Sequence, residues 1–272
     1  MTSASSATIA DRVIASRPFS IGRISICLLP LLALLAAWQV ATWAQIYPPI
    51  LLPPPAKVAA AFATEYPAIF HNAAASITRV IVGVSLAFCF AVPLGVLIGR
   101  YQILDVLADW SIQIFRSVPP ISLIPMALLF FGIGDKPAIV LIFLAATWPL
   151  LINTIFGVRS IERTLIKVAR AARASEHLIF RDIILPSAMP AVFTGLRLAI
   201  GGGWLTVVTA EMIAVKSGLG YMILNAQLTF RSELIVAGIV VIGAIGLIAD
   251  QGVRALRAHV CRWQEGLTAE AE

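Results

Sequence analysis

The sequence predicts an all-α, polytopic membrane protein with about six transmembrane helices, and three observations carry that prediction. Of its 272 residues 60% are hydrophobic and only 12% charged, with a mean hydropathy of +0.93. Apolar runs long enough to cross a hydrocarbon core of about 30 Å recur along the chain. The basic residues behind a net charge of +6 gather in the gaps between those runs. A soluble domain of this size needs far more surface charge. Inside lipid a helix satisfies its own backbone polar groups, so helices are the form these runs take. Nucleic-acid binding is excluded by the same pattern, because the basic residues form no stripe with interleaved aromatics.

Residues 1–22 are rich in Ser, Ala and Thr, carry Arg12 and Arg17, and read as a mobile cytoplasmic tail. The first span is Ile24 to Ala44. It is longer than the 7–15 residues or so of a secretory h-region and lacks a following A-x-A site, so it reads as a retained helix. The next is Ser76 to Gly99. A Pro-interrupted element from Leu104 to Phe131 follows, in which Asp105, Asp109 and Arg116 precede Pro119-Pro120. It is either one bent helix or a short interfacial helix followed by a half-span. Ile139 to Phe156, Ala188 to Ile213 and Leu234 to Leu256 complete the set. The membrane domain is then 23–256, and 257–272 is a C-terminal cytoplasmic tail. Cys27, Cys89 and Cys261 are too dispersed for a metal site and read as small core hydrophobes.

Orientation follows from the basic residues. With both termini cytoplasmic, thirteen Lys and Arg fall on the inner side, only Lys57, Lys136, Lys216 and Arg231 on the outer side, and Arg79, Arg116 and Arg197 within spans.

The longest inner piece, 159–190, has its own order. Leu165, Val168, Ala169 and Ala172 recur at helical spacing on one face, with Arg163, Lys167 and Arg170 on the other. Ser175 offers an N-cap to a second helix, Glu176 suits its first turn, and Pro186 is expected to end it and open the fifth span. An amphipathic basic helix of this kind either lies on anionic lipid headgroups or docks a soluble partner, and periodicity leaves both open.

The stretch KVARAARASEHLIFRDIILP, Lys167 to Pro186, resembles the permease motif of bacterial ABC importers: Glu-Ala-Ala, then Gly after three residues, then Ile-x-Leu-Pro after nine more. Ala169, Ile183, Leu185 and Pro186 match in register. Lys167 stands in place of Glu, Val168 in place of Ala and Arg173 in place of Gly. Arg173 suits a left-handed turn less well than Gly, and Lys167 reverses a charge at the presumed contact. RSVPPISLIPMALLFFGIG (Arg116 to Gly134), FLAATWPLLINTIFGVRSI (Phe143 to Ile161), FTGLRLAIGGGWLTVVTAEMI (Phe193 to Ile213) and SGLGYMI (Ser217 to Ile223) are similar to the permeases for nitrate, taurine, aliphatic sulfonates and bicarbonate.

That resemblance implies a type I ABC importer permease fold in the bacterial inner membrane and a small oxyanion as substrate, with an inclination toward nitrate-like anions. It implies two copies of the chain around one path and an extracytoplasmic binding protein. Two cytoplasmic ATPase subunits would dock on Lys167, Val168, Ala169, Arg170, Ala171, Ala172, Arg173, Ala174 and Ser175, with Ile183, Leu185 and Pro186 completing the motif. The chain itself is expected to be no enzyme and to hold no cofactor, ATP-Mg residing on the ATPase. Its nearest approach to a phosphate loop, Gly132 to Lys136, has Pro137 where a hydroxyl is needed. Two rivals make different predictions: a scaffold predicts no flux, and an ion-driven carrier predicts flux without an ATPase.

Inside the spans Arg116, Arg197 and Glu211 are the ionisable candidates. Arg197 and Glu211 lie about 21 Å apart along one helix and cannot pair with each other. Arg197 reads as snorkelling to the inner interface, and Glu211 as part of a gate or an ion pair. Arg116, Ser122, Asn153, Thr154, Thr206 and Thr209 offer a cationic or hydroxyl-lined path, or else bonds between helices. Pro93, Pro125, Pro149, the Gly95-x-x-x-Gly99 pair and Gly201-Gly202-Gly203 serve close packing or gating.

Overall fold

A computed structural model of the chain describes residues 21–262, all of whose regular elements are helical. The chain falls into two units, one ending at Lys57 and the other starting at Val58. The tails 1–20 and 263–272 lie outside the described residues, as does the side chain of Cys27.

In the first unit α1 runs Ile21–Trp43, a helix over most of the stretch expected as the first span, Ile24 to Ala44. The following turn is fastened by Trp38, whose Nε1 donates to the Pro53 carbonyl at 3.1 Å.

The second unit is built on α2 (Pro55–Arg100), α3 (Gln102–Arg116), a 3-10 turn (Pro120–Leu123), α4 (Ile124–Phe131) and α5 (Asp135–Arg159). Then come α6 (Arg163–Ala171), α7 (Glu176–Ile179), a π-helical turn (Phe180–Ile184), α8 (Leu185–Ala214), α9 (Leu219–Leu228) and α10 (Ser232–Val260). Among the described residues four helices are long and apolar enough to cross a membrane, or five if the bent pair of α3 with the 3-10 turn and α4 is one span. The expected count of six differs by α1, whose described apolar stretch, Leu32–Trp43, is shorter than a membrane crossing.

Two boundaries depart from expectation. The span expected from Ser76 is the second half of a 46-residue helix, about 69 Å long and more than twice the hydrocarbon thickness. Its first half carries Glu65, Pro67, His71 and Asn72 and so lacks the apolar signal. Pro55 opens it at the position where a missing N–H costs nothing. The Leu104–Phe131 element breaks at Ser117–Pro119 and bends by 76°.

α5 is the axis of the packing: Leu141, Ile142 and Leu150 are fully buried. α2 meets it along a small-residue stripe, so close that a Cβ at Gly95 would lie 2.8 Å from the Thr154 Cβ. α8 meets it from the other side, where a Cβ at Gly195 would lie 2.9 Å from the Asn153 Cβ. Small residues take this role because lipid offers no hydrophobic drive between helices, and association rests on close backbone approach. Of the expected Gly pattern, Gly95 and Gly99 pack, Gly203 faces Ile142, and Gly201 has open space around it.

Candidate functional site

The connector between α5 and α8 is folded throughout. Ile166 and Ala169 turn inward and pack with Val96, Val158, Ile161, Ile179 and Ile184. Leu165, Val168 and Ala172 are exposed. The single apolar face expected from spacing is therefore divided: Ala169 anchors the helix, and the other three form a free apolar face.

α6 ends in a Schellman turn. The N–H of Ala174 donates to the Ala169 carbonyl and that of Arg173 to the Arg170 carbonyl, each at 3.0 Å. Arg173 takes φ of 59°, the left-handed geometry that glycine adopts most easily, at a cost of about 1–2 kcal/mol for a side-chain-bearing residue. The turn expected from the motif is thus formed without its glycine. Ser175 caps α7 as expected, its Oγ accepting from the Leu178 N–H at 3.3 Å. Glu176 ties the connector to the bundle through ion pairs with Arg100 at the end of α2 and Arg170 on α6.

Pro186 does not end the second helix. The N–H of Leu185 reaches back five residues to the Phe180 carbonyl, and the widened π turn admits the ring of Pro186 without breaking the rod. α7, the π turn and α8 form one continuous rod, Glu176–Ala214.

α5 and α8 each run from the connector to the opposite end of the bundle, where a second polar assembly sits. Glu211 of α8 is fully buried. Its Oε1 accepts from Arg79 at 2.5 Å, and its Oε2 accepts from Ser76 Oγ at 2.8 Å and from the Gly220 N–H at 3.0 Å. The remaining donors of Arg79 reach the Ser217 carbonyl, the Ser217 Oγ and Asp135 at the start of α5. Four hydrogen bonds occupy all three guanidinium nitrogens, and Asp135 also lies 2.7 Å from Nη2, the paired condition under which burial of charge is tolerated. The Leu219 N–H donates to Ser76 Oγ at 2.9 Å and the Gly218 N–H to Asn72 Oδ1 at 2.8 Å, so the loop before α9 is held to α2. Gly218 has φ of 107°, and a Cβ there would lie 2.2 Å from Glu211 Cδ.

Glu211 thus belongs to an ion pair, with a partner the sequence reading did not single out. Arg79 and Glu211 were both legible as ionisable residues in separate spans, and that opposition of charge was the available signal. Arg197 does not snorkel freely: it makes a two-pronged ion pair with Asp250 of α10, which also accepts from Arg254 at 2.9 Å. Asp250, inside the expected last span, was the missed signal.

The other polar candidates are dispersed. Arg116 is exposed at the end of α3, and Ser122 in the bend donates to the Pro119 carbonyl at 2.7 Å. Asn153, Thr154, Thr206 and Thr209 all bond to carbonyls four residues back in their own helices. Among the described residues they make no bonds between helices.

Comparison with known proteins identifies the architecture. The model of the binding-protein-dependent transport system inner membrane component matches residues 91–260. The chain is 33% identical over 240 residues to the taurine transport system permease protein TauC of Escherichia coli K12, across 86% of this chain and 87% of that protein. To the bicarbonate transport system permease protein CmpB of Synechococcus elongatus it is 38% identical over 196 residues, 71% of this chain and 70% of that one. The putative aliphatic sulfonates transport permease protein SsuC of Bacillus subtilis is 32% identical over 233 residues, 85% and 84% of the two chains. Among solved structures, an amino acid ABC transporter superposes with a TM-score of 0.55 at 14% identity, covering 74% of this chain and 96% of that chain. The inward-facing MetNI methionine ABC transporter gives 0.52 at 22% identity, covering 66% and 92%. The chain belongs to the family of binding-protein-dependent transport system inner membrane components. It is a multi-pass membrane protein with the type I ABC importer permease fold.

Proposed function

We propose that this permease forms, as a pair of identical copies, the translocation path of an ATP-driven importer of a small oxyanion: a sulfonate such as taurine, bicarbonate or nitrate. The taurine, bicarbonate and sulfonate permeases among its relatives support that substrate class. In this reading an extracytoplasmic binding protein delivers the anion, both termini are cytoplasmic, and two ATPase subunits carrying ATP-Mg grip the connector.

One observation carries the proposal: the free apolar face of α6 is joined, without a flexible break, to a membrane-crossing helix. Leu165, Val168 and Ala172 offer apolar surface to an ATPase groove. Force on that face passes through the Schellman turn, the Ser175 cap and the Glu176 ion pairs into the continuous rod that becomes α8. The π turn supplies a wider, less regular link where the rod can bend. Closure of the ATPase pair then biases a helix bundle between two states, as ligand-driven switching requires. Arg116 and Ser122, exposed beside the 76° bend, are the side chains best placed to meet an anion.

The test is uptake of labelled taurine, an alkanesulfonate, nitrate and bicarbonate by proteoliposomes holding the chain, its ATPase and its binding protein. ATP-dependent uptake of at least one anion, abolished by Val168→Asp with loss of ATPase co-purification, is the expected result. Uptake that proceeds at full rate without the ATPase overturns the proposal.

A further inference from the structure

Behind α6, on the side away from its free apolar face, the ends of α2 and α5, the start of α3 and the connector line a half-open cavity of about 630 Å3. That volume lies within the range of roughly 300–1,000 Å3 typical of ligand pockets. Four cations line it, Arg100, Arg159, Lys167 and Arg170, against two carboxylates, Asp105 and Glu176. Arg159 is matched by Asp105, Arg100 and Arg170 share Glu176, and Lys167 makes no ion pair among the described residues. Two positive charges are left over. The remaining wall is apolar and includes Ile161, Ile166 and Ile184.

A cationic wall facing an apolar one fits an anion that carries a hydrocarbon body. The location selects its source. The cavity lies where α2 and α5 reach the end of their membrane-crossing lengths. Beside it α3 buries none of its residues in the chain and leaves Ile103, Val106, Leu107 and Trp110 exposed, as a helix at the lipid boundary does. We infer that the cavity takes the phosphate of an anionic phospholipid from the adjoining leaflet, with Lys167, Arg170 and Arg100 around the phosphate and the start of the acyl chains against the isoleucines. The lipid supplies the negative charge missing around Lys167 and binds α6 to the ends of α2 and α5. The face of α6 bearing Leu165, Val168 and Ala172 stays free. Free inorganic phosphate shares the headgroup chemistry, so the experiment separates the two sources.

The full-length chain is purified from nanodiscs of phosphatidylglycerol mixed with phosphatidylcholine, and retained lipid is counted by native mass spectrometry. Wild type is expected to keep phosphatidylglycerol in preference to phosphatidylcholine. Lys167→Glu, reversing an exposed charge, is expected to lower that retention about tenfold, and Arg170→Gln to lower it less. Arg257→Glu, an exposed cation outside the cavity, is expected to leave it unchanged. In pure phosphatidylcholine discs, a thermal shift on adding inorganic phosphate that Lys167→Glu abolishes supports the same site with a soluble anion as its occupant. Equal phosphatidylglycerol retention in wild type and Lys167→Glu, with no such phosphate response, overturns the inference.

Discussion

The two ends of the bundle solve the problem of charge in opposite ways. At the end holding Glu211, an arginine and two carboxylates meet with each polar atom of Arg79 and Glu211 occupied, in a site closed by Gly218 and Gly220. At the connector end the ion pairs sit at the surface, four cations face two carboxylates, and an apolar helix face is uncovered. A self-sufficient network fixes geometry. An incomplete one leaves room for something else to bind. The difference separates a part of the molecule whose charges are matched internally from one that leaves charge and apolar surface unmatched.

The comparison breaks most sharply at Arg79. Arg79→Met leaves the Glu211 carboxylate buried and unpaired, with an expected loss of about 3–5 kcal/mol, measured by thermal unfolding in detergent. The double variant Arg79→Met with Glu211→Met is expected to recover part of that loss, because no stranded charge remains. Gly218→Ala comes next: the positive φ and the approach to Glu211 predict about 2–4 kcal/mol of destabilisation. The connector end should respond in binding rather than in stability. Val168→Asp or Ala172→Glu is expected to weaken ATPase co-purification by about tenfold or more while the unfolding temperature stays within the range of a surface change, about 0.5 kcal/mol. A variant at Ala169 perturbs both, since that residue packs inward. The smallest effect sharpens the comparison in the other direction: Arg173→Gly relieves the left-handed turn and should stabilise the connector by about 1 kcal/mol, seen as slower hydrogen exchange at Ala174.

Much of the fold was legible. The spans expected at Ile139–Phe156, Ala188–Ile213 and Leu234–Leu256 lie within α5, α8 and α10, because long apolar runs in lipid have only the helix available. The Ser175 cap was legible because its signal is local. The first half of α2 was not, since Glu65, Pro67 and Asn72 interrupt the hydropathy while tertiary contacts, such as the Arg231 ion pair with Glu65, support the helix. Pro186 misled for a related reason: proline disrupts an α-helical ladder, and the sequence carries no marker of a π turn. Within the site, periodicity found the apolar residues of α6 but could not divide Ala169 from Val168, since both fall in the same apolar stripe.

The sequence alone determined that this chain lives in a membrane as a helical bundle with a folded basic connector, because hydropathy, helical period and capping act between near neighbours and need no knowledge of the rest of the chain. Tertiary structure alone decided that Arg79 finds Glu211 across 132 positions, that Arg197 finds Asp250, and which side of α6 remains free. The first of these pairings depends on how closely Gly95 and Gly195 let α2 and α8 approach α5. The fit of one helix surface against another is a property of the assembled bundle, and no local pattern encodes it.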